Sequence, residues 1–78
     1  MANLRLFGPA REAAGVARDV VPGQTVAEVL DIAEERYGAT FTEIVAISGV
    51  WLNGESATPE TAVTDQDEVA IIPPVSGG

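Results

Sequence analysis

Two glycines, Gly77-Gly78, close the given sequence directly behind an apolar, proline-stiffened run, Ile71-Ile72-Pro73-Pro74-Val75-Ser76. A main-chain carboxylate on Gly78 would have no side chain beside it. Glycine backbone has no Cβ and can pass through channels that any other residue would block. Such a carboxylate is open to activation as an acyl-adenylate by an ATP-using enzyme. The chemistry expected here is therefore acyl activation at the chain end, with Gly78 as the reacting residue and the rest of the molecule as its handle. A terminal Gly-Gly taken alone also fits an idle chain end. Pro73 and Pro74 favour presentation, because their backbone is restricted before any partner binds.

The remaining composition offers little other chemistry. The 78 residues include no cysteine, so no thiol can act as nucleophile, metal ligand or disulfide partner. Histidine is absent too, which removes the usual general base and the commonest metal ligand. A metal site, a redox centre or an autonomous hydrolase is not expected, nor is a bound cofactor. The net charge is −8, from four arginines, no lysine and twelve carboxylates. Nucleic-acid binding needs a basic footprint and is not expected. An acidic surface favours solubility and steers the molecule toward basic protein surfaces. No apolar stretch approaches the ~20 residues that cross a bilayer, and no basic-then-apolar leader opens the chain. The expected location is the cytoplasm, away from membranes.

One small domain must position the tail. Asn3-Leu4-Arg5-Leu6-Phe7 alternates as a strand with Leu4 and Leu6 inward. Gly8-Pro9 breaks it, Ala10–Ala14 is helix-prone, and Gly15 supplies a left-handed stop. Val16–Val21 reads as a second strand and Val21-Pro22-Gly23-Gln24 as a type II turn. Thr25-Val26-Ala27-Glu28 is a capping box opening a helix to Tyr37, with Val26, Val29, Leu30, Ala33 and Tyr37 on one face and Gly38 as its stop. Phe41–Ile47 is apolar but irregular, with Phe41, Ile44 and Val45 packing under the sheet. Val50–Asn53 is a strand, Asn53-Gly54 a tight turn, and Glu55–Ala57 a short edge strand. Thr58-Pro59-Glu60 reads as a capped helical turn and Asp65-Gln66-Asp67 as a turn. Glu68–Ile72 is the last strand, ended by Pro73. The expected fold is α+β, a mixed sheet with one main helix on one face. It spans residues 1–72, with 73–78 as a flexible tail.

Alternation also sorts the sheet's faces. If Leu4, Leu6, Val50, Leu52, Val69 and Ile71 meet the helix, then Phe7, Trp51 and Ile72 project from the uncovered face. Pro73, Pro74 and Val75 are expected to extend that apolar surface toward Ser76 and Gly77. A contiguous exposed apolar area of this kind marks an interaction site.

Several segments carry a family likeness. Leu4-Arg5-Leu6-Phe7, Arg11-Glu12-Ala13-Ala14-Gly15, Leu52-Asn53-Gly54, Asp67-Glu68-Val69-Ala70 and Ile72-Pro73-Pro74-Val75-Ser76-Gly77-Gly78 resemble the small subunit of molybdopterin synthase. The acid-rich turn with the Pro-Pro-Val and Gly-Gly ending is the most specific part. The resemblance implies a ubiquitin-like β-grasp fold and a sulfur carrier that is not itself a catalyst. It further implies that an E1-like enzyme uses ATP to adenylate Gly78, and that a sulfur donor converts the adenylate to a thiocarboxylate. The tail then enters the large synthase subunit, in a heterotetramer, and gives sulfur to a pterin precursor of the molybdenum cofactor. Related carriers serve cysteine or thiamine synthesis, and archaeal modifiers with similar endings form isopeptides on target lysines. Those two readings, and a binding module with an inert tail, are the alternatives.

Overall fold

The computed structural model describes residues 1–74, and its first and last strands set the architecture. The elements in chain order are β1 (Ala2–Leu6), α1 (Gly8–Ala14), β2 (Arg18–Val21), α2 (Val26–Tyr37), α3 (Ala39–Ala46), β3 (Gly49–Leu52), β4 (Glu55–Ser56) and β5 (Glu68–Ile72). β5 pairs in parallel with β1, from Asn3–Glu68 to Leu6–Ile71. β2 lies antiparallel outside β1, and β3 and β4 lie antiparallel beyond β5, giving the order β2-β1-β5-β3-β4. This is the β-grasp fold, a mixed five-stranded sheet with its helices on one face.

Burial follows the alternation of each strand. Ala2, Leu4 and Leu6 of β1, Val21 of β2, and Val69 and Ile71 of β5 are buried in one cluster with Ala10, Val26, Val29, Ala33, Phe41 and Val45 of the helices. Each large side chain in that layer contributes about 1.5–3 kcal/mol by leaving water. The 12-residue helix α2 is the main cover. Its N-terminus is capped as its sequence predicts: Thr25 Oγ1 accepts from the Glu28 N–H at 3.2 Å. Glu28 reaches back one residue further than a standard box, to the Gln24 N–H at 3.2 Å. Gly38 ends the helix at φ 96°, a conformation that favours glycine.

Two local expectations are corrected. Residues 39–46 form a regular helix, α3, whose Phe41 and Val45 lie one turn apart and are both buried. Val21–Gln24 does not form a type II turn. Gly23 sits at φ +152°, and a Cβ there would meet Val29 Cγ2 at 2.9 Å, so close passage over α2 determines this glycine rather than turn geometry. Thr58–Thr61 forms the single expected turn, with Thr61 N–H donating to Thr58 O at 3.0 Å and Thr58 N–H donating to Thr61 Oγ1 at 3.1 Å. At the chain's first break, Gly8-Pro9 begins α1 instead of only ending β1, since proline needs no intrahelical donor at that position.

The outer edge of β2 is occupied by side chains. Val20 N–H donates to its neighbour's carboxylate, Asp19 Oδ1, at 2.8 Å, and Val20 O accepts from Arg36 Nη1 at 3.2 Å. Arg36 also pairs with Asp19 Oδ2 at 2.7 Å, and the Tyr37 hydroxyl donates to that oxygen. The cluster fastens β2 to the end of α2 and satisfies strand groups that would otherwise invite another strand. Tyr37 donation, followed by Arg36, holds the Asp19 carboxyl below the usual carboxylate range despite some desolvation. No helix among the described residues is long and apolar enough to cross a membrane.

Two outcomes are expected. Burial, followed by the Asp19 contact, raises the Tyr37 phenol to about 12. Its unfolded value is about 10, so this contribution to stability is intact below pH ~10 and lost as the pH rises through about 12. Tyr37 is the one tyrosine in the sequence, so phenolate absorbance reads it directly. Appearance near pH 12 in folded protein, and near 10 in urea, is the expected result. Gly23→Ala is expected to destabilise the fold by roughly 1–3 kcal/mol through overpacking on Val29, read by urea denaturation.

Candidate functional interface

β5 runs through the interior of the sheet and then leads to the tail, so its alternation decides what surrounds the exit. Val69 and Ile71 are buried on the helix side, and Ile72 is 41% exposed on the other side. The alternation carries one residue past the strand: Pro73 is buried and Pro74 exposed. This corrects the expectation that Pro73 extends the exposed apolar surface. Pro73 is held by the domain and fixes the direction in which the chain leaves. Val75, Ser76, Gly77 and Gly78 lie outside the described residues.

Phe7 and Trp51 fall where alternation predicts. Phe7 is 38% and Trp51 37% exposed, both too open for core residues of their size. Phe7 sits one position beyond the Leu6–Ile71 pair, level with Ile72. Ile72 in turn pairs with Gly49 of β3, and Trp51 pairs with Ala70. The Trp51 indole lies back over Gly49, where a Cβ would stand 3.1 Å from Trp51 Nε1. Glycine at 49 leaves room for the indole. Together these residues form an apolar area at the exit end of the uncovered face.

Two further features position this area. Arg5 stands over the Phe7 ring, with its guanidinium carbon 5.2 Å from the centroid, a contact worth about 0.5–1 kcal/mol at an exposed site. At the other end of β5, Asn53 joins the β3–β4 turn to the loop before β5. Its amide donates to Asp67 Oδ1 at 2.8 Å, its carbonyl accepts from the Glu68 N–H at 2.8 Å, and Thr64 N–H donates to Asp67 Oδ2 at 2.8 Å. The Asn53 contact, followed by Thr64, lowers the Asp67 carboxyl below its ordinary value. Asn53 at φ 51° and Gly54 at φ 85° make the left-handed pair of a tight hairpin. The Asn-Gly signal finds the turn, but the partnership with Asp67 depends on strand pairing and has no local signature. Among the described residues no group of histidine, cysteine or carboxylates could hold a metal ion.

Comparisons with known proteins agree with this geometry. Residues 4–78 match the ThiS family. The search of curated proteins returned no match. Among solved structures, SAMP1 from Haloferax volcanii is 32% identical, with a TM-score of 0.82 over 99% of this chain and 98% of that one. The small archaeal modifier protein 1 from Methanosarcina acetivorans is 30% identical, with a TM-score of 0.87 over 99% and 95% of the two chains. A chain from the BexX/CysO complex of Amycolatopsis orientalis is 25% identical, with a TM-score of 0.84 over 100% of both. The chain therefore belongs to the ThiS family, ubiquitin-like proteins that carry sulfur on a C-terminal glycine.

Proposed function

We propose that this protein is a sulfur carrier for molybdopterin synthesis, with Gly78 as the sulfur-bearing residue. An E1-like enzyme transfers AMP from ATP to the Gly78 carboxylate and releases pyrophosphate. A sulfur donor displaces AMP and leaves a thiocarboxylate. This group is ionised near neutral pH and, like an activated thiolate, is a soft nucleophile. The large synthase subunit then takes the tail, within a heterotetramer, and transfers the sulfur to a pterin precursor. Gly78 is regenerated as a carboxylate by hydrolysis.

The observation that carries the reading is the path of β5, which passes from the core to Pro73-Pro74 beside exposed Phe7, Trp51 and Ile72. Partner enzymes supply the nucleotide and the catalytic groups; this sequence has no histidine and no cysteine to contribute. Phe7, Trp51, Ile72 and Pro74 form the docking surface, and Val75, Ser76 and Gly77 thread toward the active site. Pro73 acts from within the domain by aiming the tail. The choice of molybdopterin rests on the resemblance to that synthase subunit, above all of the acid-rich Asp67-Glu68-Val69-Ala70 turn and the Ile72–Gly78 run.

A second reading has its own support. The structures at 30% and 32% identity are those of small archaeal modifier proteins, so attachment of Gly78 to lysines of other proteins is the competing use of the same activated end. The two share adenylation and diverge at the acceptor.

The experiment is reconstitution with the organism's adenylating enzyme, ATP and a sulfide source. Thiocarboxylate is expected on the full chain and none on a variant lacking Gly78, with equal thermal midpoints. Sulfur incorporation into the truncated variant would refute the proposal. Phe7→Ala and Ile72→Ala are each expected to weaken enzyme binding by about 1–3 kcal/mol. They should lower stability less than a buried truncation at Leu6, as followed by Trp51 fluorescence and thermal melting.

A further inference from the structure

The uncovered sheet face has a charge opposite to that of the molecule. Arg5 and Arg18 are registered partners across β1 and β2. Leu6 N–H donates to Ala17 O at 2.8 Å, which makes Arg5–Arg18 the neighbouring non-hydrogen-bonded pair. That is the closer kind, with Cα atoms about 4.5 Å apart. Like charges directly opposite one another are destabilising. Glu68 is the one carboxylate that strand alternation places on this face, 4.0 Å from Arg5 Nη1. The face thus carries two arginines against one acid, while the chain as a whole stands at −8. Arg5 is partly committed, to the Phe7 ring and to Glu68. Arg18 is exposed and forms no ion pair among the described residues. It borders a depression lined also by Asn3, Asp19, Gln66 and Glu68, and its registered partner Arg5 leads on to the Phe7 ring.

We infer that the uncovered face docks a protein surface carrying carboxylates opposite Arg18 and Arg5, beside an apolar seat for Phe7, Trp51 and Ile72. This rests on the carrier reading above and specifies the chemistry of its partner. Half of the chain's arginines are spent on a juxtaposition that costs stability, on the face that adjoins the tail. The rest of the chain sets eleven carboxylates against two arginines, Arg11 and Arg36, and disfavours an acidic partner. The acidic partner surface is therefore drawn to one face only, and the encounter is oriented with the tail end of the sheet inward.

The test uses the full chain, ATP and the organism's adenylating enzyme as the probe, with ATP–pyrophosphate exchange as the readout. Arg18→Glu is expected to lower kcat/KM by about tenfold or more, carried by KM, as a like charge opposes the partner. Arg18→Gln should show a smaller loss in the same parameter. The salt dependence of kcat/KM should flatten in both variants. The thermal midpoint of Arg18→Glu should hold or rise, since repulsion from Arg5 is replaced by attraction. Should the charge reversal unfold the chain, Arg18→Gln and the wild-type salt dependence decide between the same two outcomes. Activation of the wild type together with unchanged KM in both variants would overturn the acidic-partner inference and leave the carrier reading standing. Absence of any activation of the wild type would overturn both.

Discussion

The parallel pairing of β5 with β1 is the contact on which the rest of the structure depends. It places the last strand inside the sheet, flanked on both sides, so the segment leading to the tail is anchored by main-chain hydrogen bonds rather than hanging from an edge. It also fixes which residues of β5 face the helices. Val69 and Ile71 are buried there, and Ala70 and Ile72 are consequently turned to the open side. A slip of one residue would exchange these sets and bring Ile72 into the core. The buried layer of Leu4, Leu6, Phe41, Val29 and Ile71 prevents that slip. The apolar exit area thus exists because Val69 and Ile71 are committed to the opposite face.

The molecule divides its labour between two faces. The helix side supplies stability, with α2 and α3 packed over the sheet and the Asp19–Arg36–Tyr37 cluster tying the β2 edge down. The open side, which is the contact face in the proposed function, carries exposed aromatics and facing arginines. Gly49 there leaves room for the Trp51 indole. In the proposed function, the carrier contributes no catalytic group. It contributes a rigid platform, a fixed exit direction through Pro73, and a terminal residue that enters another protein's active site.

Much of this was legible in the sequence, and the misses share a cause. β1, α2, the Asn53-Gly54 turn and β5 announce themselves through alternation, a capping box and a left-handed glycine pair. The outward placement of Phe7, Trp51 and Ile72 followed from alternation alone. α3 escaped notice because Thr40, Thr42, Ile44 and Val45 are β-branched or strand-favouring, although Phe41 and Val45 sit one helical turn apart. Gly23 looked like a turn residue because Pro-Gly is a turn signal, whereas its role is to let α2 pass close by, a tertiary fact. Pro73 appeared to be surface because proline ends a strand, yet the strand's alternation continues through it. The Arg5–Arg18 opposition could be read only once β1 and β2 were placed in register.

The central claim is that the chain end at Gly78 is the working part. It is tested most directly by the intact mass of the protein isolated from its native cells, with fragmentation to locate the end. The account predicts a population that terminates at Gly78 and has one oxygen of that residue replaced by sulfur. A polypeptide that continues past Gly78 in its mature form, or that ends there and never acquires sulfur while its adenylating enzyme is present, would contradict it.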